Sequence, residues 1–151
     1  MAFTPTDVAI LGYLGRALSL ELSAVQQYLT LSRLLHARGL QDGAEKFRQE
    51  ALGEMEHAER IIGRLLSLGV APNASQLRPV KLGHSLGDLI EQAKVLEAEI
   101  VRFYENAVTC CIRVQDNDNR LFFEKLLAEE REHVGEFLTW QQQIDTAPAR
   151  K

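Results

Sequence analysis

A glutamate followed 33 residues later by E-x-x-H occurs twice in this chain, the second copy offset from the first by 76 residues. Glu21 leads to Glu54 and His57, and Glu97 leads to Glu130 and His133. The same offset carries Tyr28 onto Tyr104. An E-x-x-H sets its Glu and His on adjacent turns of one helix face. Two such helices, and two more with a single Glu each, supply the four-Glu, two-His inventory of a di-iron or di-manganese site inside a four-helix bundle. The repeat therefore points to an all-α antiparallel bundle built from two similar hairpins.

Local signals agree with four long helices. The first is expected from about Pro5 to Arg38, with Thr4 as N-cap, Pro5 at the first helical position, Asp7 completing a capping box and Gly39 as the stop. The second is expected from Asp42, with Glu45 three residues on, to near Gly69. The segment 70–84 holds Pro72, Asn73, Pro79 and Gly83 and reads as a long extended connection. A third helix is expected from Ser85, with Asp88 as its capping acid, to about Val114, and a fourth from the polar turn 115–118 to about Ile144. Short turns make hairpins of the first and last helix pairs. The long middle segment is then a crossover between helices two and three.

Each helix carries an apolar stripe in steps of three and four residues, with one Glu inside it. The stripes run Leu11, Leu14, Leu18, Glu21, Val25, Tyr28; then Phe47, Ala51, Glu54, Ala58, Ile61, Leu65; then Ile90, Ala93, Glu97, Ile100, Tyr104; and Phe123, Leu127, Glu130, Val134, Phe137. A buried ionised Glu is costly unless it is paired or metal-bound. Two divalent cations would balance four carboxylates, and two neutral histidines add no charge. A mixed carboxylate and imidazole set suits iron or manganese better than calcium or magnesium, while iron(II) and zinc share this spacing. Tyr28 and Tyr104 read as core aromatics with one hydrogen-bonded tip, Tyr28 lying two turns from Glu21. His36, at a helix end, and His84, in a loop, read as ordinary polar residues.

The 151 residues are the size of one domain, taken as 1–151, and a net charge of −4 argues against nucleic acid as a main partner. The start of the chain lacks a basic, apolar leader, and no apolar run is read as a membrane span. Cys110 and Cys111 are adjacent on a helix, where a disulfide between them would be strained. They read as reduced thiols of a cytoplasmic protein.

These residues resemble the bacterioferritins, a branch of the ferritin family. The likeness covers about residues 8–144 and rests on L-x-x-E-L-x-A-x-x-Q-Y at Leu18 to Tyr28, E-M-x-H-A at Glu54 to Ala58, and E-E-x-E-H at Glu129 to His133. It implies a ferritin-like bundle with a ferroxidase centre in each subunit. Glu21, Glu54 and His57 would hold one iron and Glu97, Glu130 and His133 the other, with Glu54 and Glu130 bridging and Tyr28 beside them. Met55 falls where the family ligates haem b through two methionines of a twofold dimer. The resemblance further implies dioxygen or peroxide as oxidant, a small ferredoxin as reductant, and a homo-oligomeric cage of 24 subunits. The implied dimer face comprises Leu22, Val25, Gln26, Leu29, Leu52 and Met55. Gln49 and Gly53 depart from a His and an Asp that the family often carries on its inner surface. Only residues 145–151 follow the fourth helix, too few for the family's short fifth helix.

Iron storage with ferroxidase activity is the function this implies. A non-storing di-iron oxidoreductase, such as a rubrerythrin-like peroxidase, is the alternative, although the CxxC pairs of a rubredoxin-like donor are missing. A helical scaffold without metal would leave four buried glutamates unexplained.

Overall fold

The computed structural model describes residues 5–74 and 76–147. Among them are four helices and no strand: α1 (Val8–Ala37), α2 (Gln41–Ser67), α3 (Leu86–Arg113) and α4 (Asn117–Thr146). The helix starts show where local chemistry prevails. Ser85 and Asp88 form the full capping box at α3, and Asp116 caps α4 through the Asn119 N–H. At α1 the N-cap is Asp7 itself, whose Oδ1 accepts from Ala9 at 2.8 Å; Thr4 lies outside the described residues. No side chain caps α2, which follows a turn in which Gly39 takes φ +78°.

α1 packs against α2 and α3 against α4, and α1 also meets α3. A 27-residue helix such as α2 spans about 40 Å. The extended segment 70–84 can reach about 50 Å, enough to return the chain to the far end. It is fastened to α1 on the way. The Gln27 side-chain amide donates to Lys81 O at 2.8 Å and accepts from Lys81 N at 2.9 Å. The Ser23 hydroxyl accepts from Arg78 N at 3.0 Å, and the Arg38 guanidinium donates to the Gly83 and His84 carbonyls. Buried backbone groups of a strapless loop would lack partners; these contacts supply them.

The stripes face inward. Leu14, Leu18, Phe47, Ala51, Ile61, Ile90, Ile100, Phe123 and Phe137 are all buried, while Leu11 and Val134 are half-buried at its margin. Tyr28, Phe47, Phe137 and Trp140 stack into one aromatic cluster, which locks that end of the bundle. Cys110 and Cys111 are buried free thiols, and burial pushes Cys111 up to about 12. One sequence expectation fails: α1 is long and apolar enough to cross a membrane by length and composition. Half of that apolar window is buried inside the bundle, against α2 and α3.

Candidate metal centre

All four stripe glutamates, Glu21, Glu54, Glu97 and Glu130, are fully buried, one on each helix at mid-length. The structure brings them together with His57 and His133. Ligand atoms of Glu21, Glu54, His57 and Glu130 lie within 4.8 Å of one another, and so do those of Glu50, Glu54, Glu97 and His133. The histidine rings stack nearly parallel, 5.6 Å apart with 11° between planes.

Each histidine reaches across to the other motif. His57 Nδ1 lies 2.7 Å from Glu130 Oε1 and 3.6 Å from Glu21 Oε1. His133 Nδ1 stands 2.8 Å from Glu54 Oε1, yet out of line for a hydrogen bond, so neither atom has a hydrogen-bond partner. The two tyrosines cross in the same way. Tyr28 Oη donates to Glu97 Oε1 and Tyr104 Oη donates to Glu21 Oε1, each at 2.7 Å. Tyr28 thus serves the glutamate of α3 rather than its own helix's Glu21.

The electrostatics are those of a site short of positive charge. Burial, then the neighbouring Glu130 charge, raises Glu21. Burial, then the Glu21 and Glu97 charges, drives Glu54 well above the carboxylate range. Glu97 rises likewise through burial and Glu130. Burial would also raise Glu130, but the Glu97 and Glu21 carboxyls and the His133 and His57 rings close around it pull it well below its usual value. Burial would lower His57, but Glu130 and Glu21 hold it up at about 10.

Hydrogen bonding within the protein does not satisfy the cluster. Glu21 Oε2, both oxygens of Glu54, Glu97 Oε2, Glu130 Oε2 and His133 Nδ1 are buried without a partner. Buried polar atoms are rarely orphaned, and here the orphans converge. Carboxylate and imidazole atoms at this spacing fit two hard or borderline divalent cations.

Sequence reasoning missed Glu50. It lies one turn before Glu54 on α2, so an i, i+4, i+7 row of Glu50, Glu54 and His57 was readable as one face. Burial, then Glu136, pushes Glu50 up to about 8. Also missed was the outer contact of His57: Nε2 faces Glu129 at 3.9 Å, and Glu129 accepts from the Arg60 guanidinium at 2.7 Å.

Met55 stands apart from this cluster on the outer face of α2. It is 39% exposed, beside Leu52 at 41%, with Leu29 of α1 at 36%. Gln26 is exposed and Leu22 half-buried, whereas Val25 is buried within the subunit and adds little to that face.

The ferritin family, through its ferritin-like domain, matches residues 11–147. The bacterioferritin of Rhodobacter capsulatus is 35% identical over 89% of this chain and 83% of its own length. That of Mycobacterium leprae is 31% identical over 85% of this chain and 80% of its own. A solved structure of the Rhodobacter capsulatus bacterioferritin, with a metal-free dinuclear site and a haem iron in a crystallographic special position, superposes with a TM-score of 0.89 at 32% identity, covering 94% of this chain and 89% of that one. By sequence and fold together this chain belongs to the bacterioferritins of the ferritin family.

Proposed function

We propose that this protein stores iron and oxidises it on the way in, as a ferroxidase. Iron(II) is the substrate: each ion gives one electron to dioxygen or peroxide, and the iron(III) formed is kept as mineral inside a protein shell. The observation that carries this reading is the convergence of partnerless buried carboxylate oxygens and one imidazole nitrogen from all four helices.

Glu21, Glu54 and His57 would hold one ion, and Glu97, Glu130 and His133 the other, with Glu54 and Glu130 between them. The residues are set for this before any ion arrives. Tyr28 and Tyr104 fix the orientation of Glu97 and Glu21 by hydrogen bonds. The four glutamates are fully buried, so charge at the site is felt strongly. Binding two cations competes with protons, which burial makes Glu21, Glu54 and Glu97 hold more tightly and which Glu130 and Glu21 make His57 hold up to about 10. Four carboxylates then balance the ions while the histidines bind neutral.

Met55 is the residue that would hold haem, its exposed thioether lying in a small apolar strip suited to a flat apolar group and a second subunit. A twofold axis there would supply the same ligand from both sides. Bound haem would supply one-electron transfer, useful for returning stored iron(III) as iron(II) with a ferredoxin as the outside reductant. A cage of 24 subunits built from such dimers is the assembly that storage calls for.

Native mass measured with iron per subunit after aerobic loading tests the storage reading. A large closed particle that retains far more than two irons per subunit supports it. A small oligomer stopping at two would make the protein a non-storing di-iron oxidoreductase.

A further inference from the structure

The two halves of the cluster match closely on the inside. Glu97 and Glu21 each accept a 2.7 Å hydrogen bond from a tyrosine. Each histidine turns Nδ1 inward onto a glutamate of the other motif, His57 onto Glu130 at 2.7 Å and His133 onto Glu54 at 2.8 Å. The halves differ behind the histidines. The outward nitrogen of His57, Nε2, faces Glu129 Oε1 at 3.9 Å. The other oxygen of that carboxylate accepts from the Arg60 guanidinium at 2.7 Å. One carboxylate of α4 thus stands between an arginine and a histidine of α2.

At the 76-residue offset, Glu129 corresponds to Gly53 and Arg60 to Glu136. Gly53 has no side chain to offer, and one edge of the His133 ring lies against it. A Cβ there would stand 3.5 Å from His133 Cε1 and 3.7 Å from Nε2. Among the described residues, the carboxylates of Glu50, Glu54 and Glu130 all approach His133 through Nδ1. The His57 side chain is 3% exposed and that of His133 16%.

A neutral imidazole that offers Nδ1 to a metal carries its proton on Nε2. A carboxylate facing that N–H fixes the tautomer and the ring plane, and makes the metal-facing nitrogen more basic. At 3.9 Å the Glu129 contact is electrostatic, longer than a hydrogen bond, and the Arg60 fork holds the carboxylate in place for it.

We propose that Glu129, held by Arg60, is a positioning residue for His57 alone, so that only one of the two ions is bound through a histidine backed by a carboxylate. The proposal rests on the reading of the six residues as a dinuclear centre. Losing an outer partner of this kind costs about ten- to a hundredfold in metal affinity. A half-exposed ion pair that merely clips α2 to α4 would contribute little, and nothing selective to one ion.

The test is anaerobic Co²⁺ titration by calorimetry on the wild type, Glu129→Gln and Arg60→Gln, with NMR of the imidazole N–H protons in the same proteins loaded with Zn²⁺. Glu129→Gln keeps the size and an acceptor oxygen and removes the charge. Both side chains are partly exposed, so the core packing is left alone. The wild type should bind two ions per subunit. Glu129→Gln should weaken one ion by about tenfold or more and leave the other within about twofold, and Arg60→Gln should weaken the same ion by less. The His57 Nε2 proton should exchange with water about tenfold faster in Glu129→Gln than in the wild type, with His133 unchanged. Unchanged affinities, equal weakening of both ions, or an unchanged His57 proton would reduce Glu129 to a clip between helices and overturn the proposal. Fewer than two ions in the wild type would overturn the dinuclear reading itself, and this proposal with it.

Discussion

The Tyr28 hydroxyl of α1 donates a 2.7 Å hydrogen bond to Glu97 of α3, and both groups are fully buried. The matching bond from Tyr104 to Glu21 runs the opposite way between the same two helices. These crossed bonds hold the two glutamates whose helices contribute no histidine to the cluster. A hydrogen bond to a charged group contributes about 1.5–3 kcal/mol. Tyr28→Phe should therefore weaken one of the two metal equivalents by about tenfold and leave the other nearly unchanged, and Tyr104→Phe should do the same to the opposite equivalent. Superimposable titration curves for wild type and both variants would contradict this.

Glu54 contributes two partnerless oxygens to the cluster. Glu54→Ala should abolish rapid iron(II) oxidation, because it removes the carboxylate set between the two ions. Glu54→Leu should do so too, while making the metal-free protein more heat-resistant. Replacing a buried ionisable group by an apolar one of similar volume often stabilises by about 1–4 kcal/mol. A metal-free Glu54→Leu protein that melts below the wild type would show that Glu54 is a structural residue.

Stability of the metal-free protein should fall as pH rises from 5 to 9. Glu50 is pushed up to about 8 from 4.5, so the folded state holds an extra proton between those values. His57 is raised to about 10 from 6.5, and its stabilising protonation is lost as pH climbs through that window. In both cases the folded state binds more protons than the unfolded one, so unfolding becomes easier with rising pH. Glu130, held low, acts oppositely only below its ordinary carboxylate range. Two bound cations replace these protons, so saturating metal should raise Tm more at pH 8 than at pH 6. Thermal melts with and without Co²⁺ across this range are the check, and a metal-free Tm that rises from pH 6 to 8 is the contrary result.

Met55 is exposed and shares no contact with the cluster's chemistry. Haem titration followed by the Soret band should give one haem per two subunits in the wild type and none in Met55→Leu. Leu keeps the volume, so loss of haem would not reflect lost packing. Equal uptake by both proteins would reduce Met55 to an apolar contact between subunits.

The bundle was legible in the sequence because its signals are local. The heptad-like stripes named Phe47, Ala51, Ile61, Ile90 and Phe123 as core, and the capping box at Ser85 marked a helix start that the structure keeps. The six cluster residues were legible because an internal repeat fixes four helix faces at once. What escaped was contact between helices. Spacing along α2 cannot say that His57 meets Glu130 rather than Glu54, nor that Tyr28 reaches α3. The Gln27–Lys81 fastening was equally invisible, since it joins a helix to a segment with no periodic pattern. Glu50 lies on the same α2 face as Glu54 and His57, but only the packing of α4 brings it beside His133.

Two iron ions are expected to sit between the four helices of one subunit. Anomalous X-ray diffraction at the iron edge, from crystals soaked anaerobically in iron(II), tests it most directly. Two strong peaks per subunit should appear at coordinating distance from Glu21, Glu54, His57, Glu97, Glu130 and His133. Peaks confined to the protein surface, with none between the helices, would show that no dinuclear centre forms there.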